Sequence, residues 1–439
     1  MQMDTWNVGG TSLSRHEELI TRDIVDDISE DGDNYDLDLD DEDQFNRSSQ
    51  YIPSDMWLGA YIMMEGVNGD CVHLLYASPC MVDGVQDKSC YKLDRVFWSF
   101  KPCIDGFNFC KPIVQVDGTF LNGRYSGTLL TATAQDGNRN IFPLAFAIVE
   151  GETQEALIWF FQLLRQYVTP QPNLCMITDR GISIISVLQS EEVGWEGDNL
   201  VSVYCIHHIA SNFNKKFKNV ELKRQLINMD RIPLEKWTQA YDGGKRYGHM
   251  TTNLVECINF VLKEARSLLI SALVKATFEK TKTWFVERVF KIDTMLRACH
   301  YYSEDITTLL RKNQQHSAMC FVERFNAKNS EFDVQELATP QHAFRLPCRH
   351  VIVVCSSCHL QMTTFIDPVY NLHTIRKAYQ VEFHPIRNED YWSTYTGPNF
   401  IPEPHMRRKN SGQPITTRLR NEIDQSIQNK TKKMVLLSQ

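Results

Sequence analysis

Three acidic residues carry the clearest chemical signal in this 439-residue chain. Asp117 and Asp179 each end an apolar run typical of a buried strand, and Glu256 lies in the first turn of a predicted helix over 253–266. Two carboxylates at strand ends and a third on a later helix can converge on a pair of divalent cations. Such a pair stabilises the attacking and the leaving oxygen in phosphodiester cleavage or strand transfer. The pattern therefore predicts a two-metal site.

Each carboxylate also has a purely structural interpretation. Asp117 with the glycine after it, and Asp179 with the Arg-Gly after it, are typical turn sequences. Asn253 and Glu256 have the spacing of a capping box, in which Asn253 caps the helix and Glu256 reaches back to its amide. Taken singly, these patterns favour a structural role, so the surrounding elements and motifs must decide.

The elements that would position these residues follow a regular order. The predicted strands cover 95–100, 112–116, 127–134, 141–149, 174–178 and 200–204. A turn over 136–140 joins two of them into an antiparallel pair. The predicted helices cover 153–167 with Thr153 as N-cap, 182–188, 209–240 with an interruption at 231–233, and 268–312. This order predicts an α/β fold in which helices cover the faces of a mixed β-sheet.

Six motifs follow one another along these elements. They are Val-Asp-Gly-Thr-Phe at 116–120, Ala-Gln-Asp-Gly-Asn at 134–138, Phe-Pro-Leu-Ala-Phe-Ala at 142–147, Thr-Asp-Arg-Gly at 178–181, Tyr-Cys-Ile-His-His at 204–208 and Thr-Thr-Asn-Leu-Val-Glu-Cys-Ile-Asn at 251–259. The series resembles the transposase of plant Mutator-like elements, and the resemblance runs from about residue 97 to residue 420. Its specificity comes from the order of the motifs. It implies an RNase H-like fold, DNA transposition by cleavage and strand transfer, and an Asp117–Asp179–Glu256 triad that binds Mg²⁺ or Mn²⁺.

The resemblance also places Cys205 and His208 in the catalytic neighbourhood. They form a Cys-x-x-His motif directly after a predicted strand, and residues i and i+3 share one face of a helix. The implied role is contact with DNA or support of the transition state. Packing and metal binding are the alternatives, although a zinc site requires four ligands, or three with a water.

A segment rich in cysteine and histidine follows further along the chain. Cys348-x-His350 resembles the second half of a SWIM-type zinc finger, but the upstream Cys-x-Cys half is absent. Cys355 and Cys358 could complete a tetrahedral Zn²⁺ site, whereas residues 351–358 look like an apolar helix. We expect this segment to fold as a helix packed on the core, with or without zinc.

The resemblance is incomplete between the second aspartate and the glutamate. A helical insertion of the family is shortened here, because the chain passes from 228–230 directly to 231–235. The position of Glu256 depends on that insertion, and a misplacement of about 1 Å can cost two orders of magnitude in rate. The alternative function is therefore that of a domesticated or degenerate transposase, which binds DNA and regulates transcription without cutting.

Charge is unevenly distributed along the chain. Residues 1–50 hold fifteen acidic residues against three arginines, so the rest of the chain has a net charge of +4 although the whole carries −8. The predicted organisation is an acidic disordered tail over 1–50, a lead-in segment over 51–110, an RNase H-like transposase domain over 111–305, a helical region over 306–400 with the partial SWIM-type finger at about 335–360, and a basic disordered tail over 401–439.

These features predict partners and location. The basic tail, with its Arg-Arg-Lys cluster at 407–409, suits phosphate binding and nuclear import, so we expect DNA as partner and the nucleus as location. A homo-oligomer is a further expectation. The chain shows no secretory pattern and no run of 18 apolar residues, which predicts an intracellular protein without a membrane partner. Thirteen cysteines without a regular framework indicate free thiols.

Overall fold

The computed structural model describes residues 71–82, 85–123, 126–179, 181–195, 200–209, 236, 244–268, 270–326, 331–336, 345–384 and 399–402. Three predictions fall wholly or almost wholly outside these residues. They are the acidic tail over 1–50, the shortened helical insertion within 209–240, and the basic tail over 401–439.

A mixed sheet forms the centre of the protein. Its strands are β1 (Cys71–Val82), β2 (Val85–Phe100), β3 (Ile113–Phe120), β4 (Thr128–Gln135), β5 (Ile141–Val149), β6 (Leu174–Thr178), β7 (Leu200–Tyr204) and β10 (Asn399–Pro402). They lie in the order β1-β2-β5-β4-β3-β6-β7, and β10 also pairs with β2. Strands β3, β6 and β7 run parallel, whereas the pairs from β1 to β3 are antiparallel. This is the predicted RNase H-like α/β fold.

Helices cover the sheet, and their bounds agree broadly with the sequence pattern. They are α1 (Lys101–Phe107), α2 (Gln154–Leu163), α3 (Ile182–Leu188), α4 (Asn253–Val261), α5 (Ile270–Arg297), α6 (Glu304–Ser317), α7 (Arg349–Ser357) and α8 (Leu372–Ala378). Thr153 caps α2 as predicted, because its hydroxyl accepts a hydrogen bond from the Ala156 amide at 3.2 Å. Among these described helices, none is both long and apolar enough to cross a bilayer.

The centre of the core lies on β4 and β5, in which every residue is buried. The predicted turn between these strands is confirmed. Asp136 accepts hydrogen bonds from the amides of Asn138 and Asn140, each at 2.8 Å, and from the Tyr379 hydroxyl at 2.8 Å. The turn is thereby fixed both locally and by the segment that follows α8.

The sheet extends further than the sequence pattern indicated. Strand β1 and residues 85–94 of β2 lie in the predicted lead-in segment and were not predicted as strands, and β10 lies at the other end of the described residues. The predicted helical region over 306–400 also contains a two-stranded sheet of β8 (Cys320–Asn326) and β9 (Glu331–Glu336). Such strands are stabilised by partners that are not apparent from local periodicity.

Candidate active site

The first two carboxylates lie at neighbouring positions of the sheet. Strands β3 and β6 are adjacent and parallel, with Gln115 opposite Ile177. Asp117 and Asp179 lie two residues further along these strands, so both reach the same end of the sheet. Asp117 is inside β3 and opposite Thr131 of β4. The interpretation of Asp117 and its glycine as a turn is therefore wrong, because both residues belong to the sheet.

Asp179 does lie in a turn, and the turn uses part of its carboxylate. The residue directly follows β6, and its Oδ1 accepts a hydrogen bond from the Gly181 amide at 2.9 Å. This contact is a typical Asx turn. The turn uses Oδ1 alone, so the turn interpretation and a ligand role for Oδ2 are compatible.

Glu256 is carried on α4, which the sheet holds in place. The side-chain oxygen of Gln115 accepts a hydrogen bond from the Leu254 amide at 3.1 Å, so β3 supplies a partner for a backbone donor in the first turn of the helix. Thr131 and Asn259 make a second link, of 3.5 Å, between β4 and α4. Gln115 lies two residues before Asp117 on the same face of β3, and the same stretch of strand thus positions both acidic residues.

The capping-box interpretation of Glu256 is wrong. The N-cap is Thr252 rather than Asn253, and the Thr252 carbonyl accepts a hydrogen bond from the Glu256 amide at 3.2 Å. Asn253 is therefore inside the helix. The Glu256 carboxylate lies 3.7 Å from His207 Nδ1, and both side chains are about half-exposed. Hydrogen bonding to Glu256 raises the pKa of His207, which favours the charged imidazolium beside the carboxylate.

Burial and like charge act together on Asp117. Burial, together with the carboxylates of Glu256 and Glu152, raises its pKa to about 7 against the lowering effects of His208 and the Gly118 amide. At neutral pH Asp117 is therefore close to the midpoint of its titration. A divalent cation in this place would favour the ionised form.

Cys205 and His208 form a buried polar group beside the carboxylates. The Thr252 hydroxyl lies 3.5 Å from Cys205 Sγ and 3.5 Å from His208 Nδ1. Hydrogen bonding to Cys205 raises the pKa of His208 to about 9, and the charges of Cys205, Asp117 and Asp179 contribute. Burial opposes ionisation of Cys205, but hydrogen bonding and charge from His208 outweigh it and lower the Cys205 pKa. His208 thus supplies a positive charge next to both aspartates.

Thr252 explains why α4 has no side-chain cap. It occupies the N-cap position, where a threonine hydroxyl commonly accepts a bond from the helix, but here the hydroxyl is directed to Cys205 and His208. The segment before it is fixed at the same place, since the Ile206 amide donates to the Met250 carbonyl at 2.9 Å. Sequence reasoning missed this role of Thr252, which only the folded chain reveals.

Glu152 is a fourth acidic residue at this end of the sheet, and the sequence analysis did not identify it. It lies between β5 and α2, and it is exposed. Partial desolvation of its carboxylate and the negative charge of Asp179 both raise its pKa. The sequence feature that could have identified Glu152 is its place in the turn directly after β5, the strand next to β4.

The donor set suits a hard divalent cation. Mg²⁺ and Mn²⁺ prefer carboxylate oxygens, and here several carboxylates raise one another's pKa, so a cation would offset their repulsion. The residues that would hold it are Asp117, Asp179 and Glu256. In the part of the chain that the structure describes, no three His, Cys, Asp or Glu side chains are already arranged to hold a metal ion.

The cysteine- and histidine-rich segment lies elsewhere in the fold. Cys348 Sγ is 3.8 Å from His350 Nδ1 at the start of α7, and Cys355 is buried on the same helix. The predicted helix is confirmed with bounds that differ by one or two residues. Over the described ranges this segment likewise shows no group of three metal-binding side chains.

The sheet order and the acidic end of the sheet define an RNase H-like domain. Residues 113–212 match the family model of the MULE transposase domain. The chain thus carries a Mutator-like transposase domain, and the matched range includes Asp117, Asp179, Cys205 and His208, whereas Glu256 follows it. A search of the curated proteins found no match.

Proposed function

We propose that this transposase-like protein cleaves DNA and transfers strands with the help of Mg²⁺ or Mn²⁺ held by Asp117, Asp179 and Glu256. The observation that carries the proposal is the placement of two carboxylates on neighbouring parallel strands, Asp117 within β3 and Asp179 directly after β6, with the helix that bears Glu256 tied to β3 through Gln115. The match to the MULE transposase domain supports it. When bound, the cations activate the attacking oxygen and stabilise the leaving one.

The residues of the chain itself have distinct roles in this proposal. Asp117 and Asp179 would bind the divalent cations at the end of the sheet, and Glu256 on α4 would supply the third carboxylate. His207 keeps a proton at Nδ1 directed toward Glu256, which orients that carboxylate. His208 places a positive charge beside the aspartates, and we propose that it also faces the phosphate backbone of DNA.

We further propose that the partner is DNA, that the protein acts in the nucleus, and that it works as a homo-oligomer. The support for DNA and the nucleus is the net charge of +4 outside the first 50 residues together with the basic cluster at 407–409. Zn²⁺ at Cys348 and His350 stays a separate proposal, since the two side chains are close but supply only two ligands.

The test uses the purified full chain and supercoiled plasmid DNA. We expect nicking in Mg²⁺ or Mn²⁺, none in EDTA, and a loss of at least about a hundredfold in Asp117→Asn, Asp179→Asn and Glu256→Gln, because a displacement of about 1 Å already has that effect. The matched control is Glu150→Gln. It removes a carboxylate that is not part of the triad and that accepts a hydrogen bond of 2.9 Å from Arg95.

Two outcomes would contradict the proposal. Nicking that survives all three substitutions would place the chemistry elsewhere. DNA binding that is identical with and without Mg²⁺, with no nicking under any condition, would favour the alternative of a non-catalytic DNA-binding protein that regulates transcription.

A further inference from the structure

The loop between β5 and α2 contains two glutamates with different surroundings. Glu150 accepts hydrogen bonds from the Arg95 guanidinium, one of them 2.9 Å long, and from the Thr153 hydroxyl at 3.2 Å. Glu152, two residues later, receives no hydrogen bond from the residues that the structure describes. A carboxylate that ties a loop down is expected to look like Glu150. Within the described part of the chain, Glu152 therefore has no hydrogen-bond partner that would hold the loop.

The carboxylate of Glu152 lies over the backbone of Gly118, directly after Asp117. A Cβ atom added at Gly118 would overlap Glu152 Oε1 and lie 3.0 Å from Thr128 Cγ2. Gly118 is in the interior of β3, where glycine is unfavourable because it adds flexibility and packs nothing. Glycine in a strand often marks the close approach of another group, and here that group is Glu152.

Glu152 thus reaches the metal-binding end of the sheet from a direction that the triad does not use. Gln115, Asp117 and Thr119 alternate onto the face that contacts α4 and Arg266, whereas Gly118 faces the other way. The absence of a side chain at Gly118 opens that second face to the Glu152 carboxylate. The Asp117 and Glu152 carboxylates therefore approach the end of β3 from opposite sides.

We propose that Glu152 is a fourth carboxylate of the divalent-metal site, binding the cation directly or through its water, and that Gly118 is the residue that admits it. The inference rests on the proposed function, since it takes the cation held by Asp117, Asp179 and Glu256 as given. The alternative is a purely structural role, in which Glu152 interacts favourably with the N-terminus of α2, as acidic residues before a helix commonly do.

The test is a Mn²⁺ titration of the full chain, followed by electron paramagnetic resonance, with thermal unfolding in EDTA as a second measurement. We expect Glu152→Gln to weaken Mn²⁺ binding about tenfold, within the range seen when supporting ligands are removed. Its unfolding temperature in EDTA should stay unchanged or rise, because no hydrogen bond is lost and repulsion is relieved.

Two further variants separate the metal role from the structural one. Glu150→Gln should keep the Mn²⁺ affinity of the natural chain and unfold at a lower temperature, because it loses Arg95. Gly118→Ala keeps all four charges but displaces the flexible end of Glu152, so it should weaken Mn²⁺ binding in the same direction as Glu152→Gln.

The reference variant is Asp117→Asn, which should abolish Mn²⁺ binding. If it does, and Glu152→Gln binds Mn²⁺ as tightly as the natural chain, the role of Glu152 is overturned while the proposed function stands. If Asp117→Asn also binds normally, the metal site itself is wrong and the inference fails with it. A lower unfolding temperature of Glu152→Gln with unchanged affinity would support the helix interaction instead.

Discussion

The two ends of the β3–β4 hairpin differ in how their polar groups are satisfied. Near the start of β3, the side-chain oxygen of Gln135 accepts a hydrogen bond from Lys111. The same oxygen lies 2.8 Å from His249 Nε2. The Gln135 side-chain amide donates to the Arg139 carbonyl at 3.0 Å. Toward the other end of β3, Asp117 lies among like charges that raise its pKa. Hydrogen bonds to Gln135 stabilise one end, whereas unfavourable electrostatic interactions act on Asp117 at the other.

The pKa values of His249 and His208 differ in the same way between the two ends. Burial lowers the pKa of His249 well below its usual range, and the charges of Lys111 and Arg139 act in the same direction. At the acidic end, hydrogen bonding to Cys205 raises the pKa of His208 to about 9. The comparison teaches that the Gln135 end contributes stability, whereas the Asp117 end retains charge that is unfavourable in the absence of a cation.

The largest change in stability is expected from removing the hydrogen bonds of Gln135. Gln135→Leu removes an acceptor shared by Lys111 and His249 inside the core, which should lower the free energy of unfolding by about 2–4 kcal/mol. Urea denaturation measures it, and Mn²⁺ affinity should not change. A loss too small to detect would show that these hydrogen bonds are readily replaced.

A substitution at Asp117 is expected to change the free energy of unfolding in the opposite direction. The folded-state pKa of Asp117, about 7, lies above its model-peptide value of 3.8, so the native state binds the extra proton and stability falls as pH rises between these values. Asp117→Asn removes this penalty. It should raise the free energy of unfolding by about 1–2 kcal/mol at pH 8 and leave it nearly unchanged at pH 4. Urea curves at both pH values, in EDTA, provide the measurement, and destabilisation at pH 8 would contradict it.

A third experiment sharpens the comparison of the histidines. Because the folded pKa of His208 is raised to about 9, its contribution to stability is complete below the unfolded value near 6.5 and is lost as pH rises through 9. Proton NMR should show His208 titrating near pH 9 and His249 titrating well below the usual histidine range. Cys205→Ser should return the His208 pKa toward its usual range. An unaltered His208 titration in that variant would exclude Cys205 as the cause.

The smallest effect concerns the segment of Cys348 and His350, which differs from both ends of the hairpin. Its helix α7 is supported by packing, with Ile352 and Cys355 buried. We expect a zinc-selective chelator to leave the thermal transition of the protein nearly unchanged, because a structural zinc would otherwise supply folding energy. Stoichiometric zinc that disappears in Cys348→Ser would contradict this expectation.

The sequence revealed the residues whose role depends on local pattern. Thr153, the turn at Asp136 and the bounds of β6 follow from capping, turn chemistry and an apolar run, whereas β3 extends four residues beyond its predicted end. Glu152 and Thr252 could not be found in that way, because each acts on a residue brought near it by strand register or helix docking. Gly118 was misinterpreted for the same reason, since an Asp-Gly pair in a strand and one in a turn have identical sequences.

Strand β10 bears on how the protein is made by the ribosome. It lies parallel to residues 90–93 of β2, on the edge that β5 covers further along at 96–98. About 300 residues separate the end of β2 from β10, which corresponds to roughly 15–60 s of synthesis. During that interval part of the β2 edge has no neighbour and could pair with another nascent chain. The sheet therefore cannot be completed before β10 has been synthesised, and chaperone capture of the unfinished chain would be of direct benefit.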